Sequence, residues 1–109
     1  MQLVQITAAE PATIINADGD LSIAGYLSAA ADGCIESHYH LGVAYSTGSH
    51  GLSCDLIEAH KWFNLAATQG HEEAAWCRAD VSDEMTAREI AEAQRRAREW
   101  LSAISRRAA

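Results

Sequence analysis

Histidine and cysteine side chains can bind transition-metal ions, and the sequence holds five histidines and three cysteines. His38 and His40 are two positions apart in a predicted helix, so their side chains point to different faces. His50, Cys54 and His60 span a predicted turn and the next helix and could supply three ligands. A zinc centre normally has closer paired spacing and a fourth ligand or an open position. The spacing argues against a metal site, so a metal-dependent hydrolase is the least favoured functional hypothesis.

Patterns for other kinds of catalysis are missing from the sequence. There is no glycine-rich phosphate loop, no nucleophile elbow and no pair of carboxylates that must lie together. Asp55 and Glu58 have a simpler role, because acidic residues in a first helical turn interact favourably with the helix dipole. Cys34, Cys54 and Cys77 lack paired spacing, which predicts reduced thiols that act as small buried packing residues. We therefore expect neither an enzyme nor a cofactor.

Two antiparallel helices joined by a glycine-containing loop are predicted to position these residues. Leu41 and Tyr45 share one face of the first helix, and Gly42 beside them leaves room for the second helix. Apolar residues of the second helix recur every three or four positions, which is the helical period. A Ser or Asp caps its start, and a glycine suits its end. The pattern comprises Leu41, Gly42, Tyr45, Gly48, Gly51, Asp55, Ala59, Trp62, Phe63, Ala66, Ala67 and Gly70.

The pattern recurs upstream when the chain is shifted by 37 residues. The shift aligns an aromatic residue, a pair of alanines and Gly33 with their counterparts in the unit that ends at Gly70. Residues 21–33 are therefore predicted to form the second helix of a preceding unit, and residues 35–47 the first helix of the next. Self-similarity at such a period is typical of a solenoid, in which each unit buries its face against its neighbours.

Together these residues resemble the Sel-one-like repeat (SLR), a relative of the tetratricopeptide repeat (TPR) with a longer inter-helix loop. The resemblance extends from Leu21 to about Cys77, although the inter-helix loop is one residue longer than is usual in the family. The Leu-Gly-x-x-Tyr signature of a further unit, which would begin at Arg78, is absent, so the array is expected to stop there. The resemblance implies an all-α fold with a short α/α superhelix over residues 21–81. It also implies an adaptor that has no cofactor of its own.

Residues 82–109 are predicted to form an amphipathic C-terminal capping helix. Thr86 and Glu89 make a capping box at its start. Oppositely charged pairs on its wet face each add only about 0.2–0.5 kcal/mol, so its apolar stripe must be buried. The stripe either docks on the chain's own last repeat helix or pairs with another molecule. It consists of Ile90, Ala93, Ala97, Trp100, Leu101 and Ile104.

Charge is distributed unevenly along the chain. Residues 1–85 carry a balance of −10 and residues 86–109 a balance of +3, which gives the net charge of −7. An acidic body repels phosphate, so we expect no nucleic-acid partner. The first residues have no basic lead and no long apolar run, so we expect no membrane association and a cytoplasmic location.

A protein or peptide partner is the leading hypothesis, bound along the concave face of the short repeat array. The alternative is a homo-oligomeric structural protein that uses its C-terminal helix, since about three repeats are usually needed for a stable array. Tyr39 and Val43 either serve as contact residues or pack against the preceding helix. The predicted contact residues are Glu36, Tyr39, His40 and Val43 on the first helix, and Lys61, Asn64 and Thr68 on the second.

Residues 1–20 have two possible structures. Thr7 could cap a short helix with Pro11 in its tolerant first turn, which would supply the missing first helix of the upstream unit. Alternatively, Leu3, Val4 and Ile6 extend as an arm that lies in a groove.

Overall fold

Five α-helices make up the computed structural model, which describes residues 22–108. No β-strand occurs within these residues, so the all-α prediction is confirmed. The predictions for residues 1–20 lie outside the described part of the chain. In chain order the helices are α1 (Ile23–Ala31), α2 (Ile35–Thr47), α3 (Leu56–Ala67), α4 (Glu72–Ser82) and α5 (Ala87–Ala108).

The turn between α1 and α2 has the same backbone hydrogen bonds as the turn between α3 and α4. The N–H of Cys34 donates to Ala29 O at 3.0 Å, and 37 residues later the N–H of His71 donates to Ala66 O at 3.1 Å. A glycine precedes each donor, with φ of 92° and 98° respectively, which a side chain would disfavour. The repeat seen in the sequence is thus present in the backbone of both junctions.

The loop between α2 and α3 carries three residues with left-handed backbone angles, Gly48, His50 and Gly51, with φ of 73°, 59° and 80°. It ends at Asp55, whose N–H donates to Tyr45 O at 2.9 Å. The Asp55 carboxylate accepts the N–H of Glu58 at 3.1 Å and so caps α3, as the sequence predicts.

Helix α3 lies between two apolar clusters. One cluster joins it through Trp62 and Leu65 to residues of α1, α2 and α5. The other joins it through Ala59, Phe63 and Ala66 to residues of α2 and α4. Each of these five side chains is at most 1% exposed, so α3 is covered on both faces.

Gly42 allows α2 and α3 to approach closely. A Cβ atom at this position would lie 2.5 Å from Cδ1 and 2.6 Å from Cε1 of Phe63, which is closer than packed carbon atoms can come. The role that the sequence predicts for this glycine, room for the neighbouring helix, is confirmed.

Helix α5 packs on α3 of the same chain. The capping box is reciprocal, because the N–H of Thr86 donates to Glu89 Oε1 at 2.9 Å and the N–H of Glu89 donates to Thr86 Oγ1 at 3.1 Å. Ala93 and Ala97 are buried, and the ring of Trp100 meets Trp62 edge-on at 4.8 Å. Leu101 departs from the predicted stripe, because its side chain lies at the edge of the buried face and is 51% exposed.

The prediction that the cysteines are buried packing residues is wrong for two of the three. Cys34 and Cys54 are exposed, and Cys77 is partly buried. Cys34 is the N-cap of α2, and Cys54 precedes the N-cap of α3. Positions at the N-terminus of a helix lie beside loops and outside the packed interfaces between helices. All three thiols are free.

Candidate interaction surface

The four predicted contact residues of α2 are largely engaged within the chain. Tyr39 stacks on the ring of His71 with centroids 4.5 Å apart, so it packs toward α4. Val43 packs against the α2–α3–α4 cluster. Glu36 lies 3.1 Å from His71 Nε2, and His40 is exposed with its ring 5.7 Å from that of Tyr39. The part these residues play in partner binding stays a prediction.

The three predicted contact residues of α3 also have partners within the chain. Lys61 Nζ lies 3.3 Å from Glu58 Oε1 and 4.3 Å from the ring centre of Trp62. Asn64 Oδ1 accepts a hydrogen bond from Arg78 at 2.6 Å. The Thr68 hydroxyl donates to the carbonyl oxygen of Leu65 at 3.0 Å. A partner that used these groups would have to compete with these contacts, of which the Asn64–Arg78 hydrogen bond joins α3 to α4.

A charged network joins α3 to α5. The Arg96 guanidinium lies 2.8 Å from Glu58 Oε2 on α3 and 2.8 Å from Glu92 Oε2 on α5. Arg95 pairs with both Glu92 and Glu99. Hydrogen bonds from Arg95 and then from Arg96 lower the pKa of Glu92 to about 2. The two arginines thus hold the Glu92 carboxylate in its charged form, which is the opposite of what a general acid requires.

Two histidines are buried in the core. His38 stacks on Trp62 at 5.7 Å between ring centres, and its Nδ1 lies 3.3 Å from Gln69 Nε2. His60 is also only 3% exposed, and its Nδ1 has no hydrogen-bond partner. Burial lowers the pKa of both rings, and the charge of Arg78 lowers the pKa of His60 further. Within residues 22–108, no three His, Cys, Asp or Glu side chains cluster in a way that could hold a metal ion.

Helix α4 carries the most exposed large apolar side chain of the described residues. Trp76 is 70% exposed. Glu72 and Glu73 precede it by four and three positions and Asp80 follows by four, so they surround the indole on one helical face. Asp83 extends this face by a turn, and none of the four carboxylates forms an ion pair with a residue in the described range. We call these five residues the acidic-aromatic face of α4.

Comparison of this chain with known families, proteins and structures found no match. No family model matches the chain. No curated protein and no solved structure matches it at a significant level either. The resemblance to the Sel-one-like repeat therefore rests on the residues of the chain alone. None of the helices within residues 22–108 is both long enough and apolar enough to cross a membrane.

The sequence prediction missed Trp76, although the signal was present. Three acidic residues flank it at helical spacing, and such a tryptophan must face the solvent if residues 72–82 form a helix. Residues 72–82 lack the repeat signature on which the predicted contact surface was based. A helix that lacks the repeat signature can still expose side chains to a partner.

Proposed function

We propose that this chain is a non-enzymatic adaptor, built from helix pairs of the Sel-one-like type in a short superhelical array, that binds a protein partner through the acidic-aromatic face of α4. The observation that carries the proposal is the exposure of Trp76, which is 70% exposed, whereas Trp62 is buried and Trp100 is partly buried. A large aromatic side chain on a rigid helix is the typical anchor of a protein interface, because it buries much area at little entropic cost.

The surroundings of Trp76 support a protein as the partner class. The four carboxylates of the face repel the phosphates of nucleic acid. They also leave the tryptophan as a single apolar anchor within a polar rim, which is the usual composition of a reversible protein interface. The predicted contact residues of α2 and α3 are less available, since most of their side chains already bind within the chain.

Crosslinking from position 76 tests the proposal directly. A photoreactive phenylalanine analogue at position 76 should capture a discrete protein in cells, and that protein is then purified and titrated against the full chain. The Trp76→Ala variant should bind it at least tenfold more weakly, because such an anchor contributes about 2 kcal/mol or more.

The matched control is Leu101→Ala, which removes another exposed apolar side chain, on α5. It should bind the partner as the wild type does. Equal binding by wild type and Trp76→Ala would refute the proposed surface. If position 76 captures only a second copy of this chain, and light scattering shows a stable oligomer, the homo-oligomer alternative replaces the adaptor.

A further inference from the structure

Helix α2 contains a counterpart of the acidic-aromatic face that is already covered by another part of the chain. The 37-residue shift that aligns the two junctions places Tyr39 on Trp76 and Glu36 on Glu73. Two pairs of equivalent positions are buried in both helices, which favours a similar rotational register for their faces. These positions are Ser37 with Ala74 and Ala44 with Val81.

His71 is the residue that covers the face on α2. Its ring stacks on Tyr39 with centroids 4.5 Å apart and planes 18° from parallel. Its Nδ1 accepts the N–H of Ala74 at 3.0 Å, so the ring proton is on Nε2, which lies 3.1 Å from Glu36 Oε2. The planar side chain of His71, at the start of α4, thus contacts both the ring of Tyr39 and the carboxylate of Glu36.

The equivalent residue is missing from the face on α4. The counterpart of Gly70 is Arg107, and the counterpart of His71 is residue 108. Both positions lie within α5, which continues as a helix where the next junction would fall and packs on α3. Within the described residues, no helix begins at the place where it could cover Trp76 as α4 covers Tyr39.

We propose that Trp76 and Glu73 bind a planar cationic side chain, arginine or protonated histidine, at the start of a helix in the partner protein. This inference rests on the proposed function and specifies the chemistry of the same site. The cation would stack on the indole and donate an N–H to Glu73, as His71 does with Tyr39 and Glu36.

Two differences between the open and the covered face favour a full positive charge. Tryptophan attracts a cation over its ring more strongly than tyrosine does. The carboxylates of Glu72 and Asp80 flank the site as well, and they also attract the positive end of the helix dipole. Arginine satisfies both contacts at once, because its planar group stacks and its N–H fork pairs with a carboxylate. Lysine lacks the planar group and fits less well.

Stapled helical peptides that differ in one residue test this inference on the full chain. The variable residue is at the first position and is Arg, His, Lys or Gln, so each peptide is helical whatever that residue is. Binding is followed by tryptophan fluorescence, since Trp76 is the most exposed of the three indoles. The Arg peptide should bind about tenfold more tightly than the Gln peptide, with Lys between them. The His peptide should match Arg near pH ~5.5 and Gln near pH ~8.

Two variants with the same change of charge separate a specific contact from general attraction. Glu73→Gln should abolish the preference for Arg over Gln, whereas Asp32→Asn, at the exposed C-cap of α1 and outside the acidic-aromatic face, should retain it. Equal affinity for the Arg and Gln peptides, equal effects of the two variants, or no binding by any peptide would overturn the inference. A partner captured from position 76 that presents no arginine or histidine to Trp76 would also overturn it and leave the proposed function intact.

Discussion

Because α2 and α3 approach closely at Gly42, we expect Gly42→Ala to destabilise the fold, although the same change stabilises most helices. In an exposed helix interior, Gly→Ala is stabilising by about 1 kcal/mol, because alanine is the better helix former. At Gly42 the added methyl group would lie 2.5, 2.6 and 2.9 Å from three atoms of the Phe63 ring. The ring is 1% exposed and packed in the α2–α3–α4 cluster, so it must move as a whole.

Overpacking of this kind costs about 1–3 kcal/mol. We expect a value in the upper half of that range, because three ring atoms are overlapped and the neighbours of the ring are also buried. After the gain in helix propensity, Gly42→Ala should lower the free energy of unfolding by about 1–2 kcal/mol. For a domain of this size each kcal/mol lowers the melting temperature by roughly 4–8 °C.

Urea unfolding followed by far-UV circular dichroism measures this change. A second variant, Phe63→Leu, removes the ring that causes the overlap, so the two substitutions should be coupled by at least about 0.5 kcal/mol. Gly42→Ala should therefore be less destabilising in the Phe63→Leu background than in the wild type. If Gly42→Ala unfolds at or above the wild-type midpoint, the helix-to-helix contact described here is wrong.

The remaining predictions concern pH and helix capping. The folded-state pKa values of His38 and His60 are lowered from 6.5, so the unfolded chain binds protons that the folded chain excludes. The contribution of the two neutral rings to the free energy of unfolding is fully present above pH 6.5. It is lost as the pH falls below this value, by up to about 1.4 kcal/mol per histidine and pH unit. Urea titrations from about pH 7.5 to 5 should show this loss for the wild type. The double variant His38→Leu/His60→Leu should show a smaller dependence of the free energy of unfolding on pH. Equal pH dependence of the two proteins would contradict the prediction. Thr86→Ala removes one half of the capping box and should cost about 1 kcal/mol in the same assay, and no change would contradict a role for that box.

The bounds of α2 and the capping box of α5 were predictable because their signals are local, whereas the helix predicted over residues 82–109 begins only at Ala87 and Ser82 belongs to α4. Residues 35–47 were predicted as a helix and α2 has these bounds. Glycines with left-handed angles follow α1, α2 and α3, and the capping box of Thr86 and Glu89 starts α5. Both signals depend on neighbouring residues only. The 37-residue repeat was likewise readable from the order of small and aromatic residues.

The candidate site was not predictable in the same way, because it depends on which helix covers which face. Tyr39 and Trp76 occupy equivalent positions, and nothing near either residue in sequence says that the first is covered and the second is open. His71 covers Tyr39 from 32 residues away, while α5 bypasses α4 and packs on α3.

The position of α3 between two clusters also sets how the chain opens. A long solenoid can lose an end unit and keep the rest folded, since each unit contacts only its neighbours. Here every other helix is packed on, or clustered with, α3, so removing α1, α4 or α5 exposes one of its faces. Cooperative opening follows, in which the amide hydrogens of α3 exchange only with global unfolding. By thermodynamic linkage, a partner that binds on α4 would therefore also protect α1, at the start of the described chain.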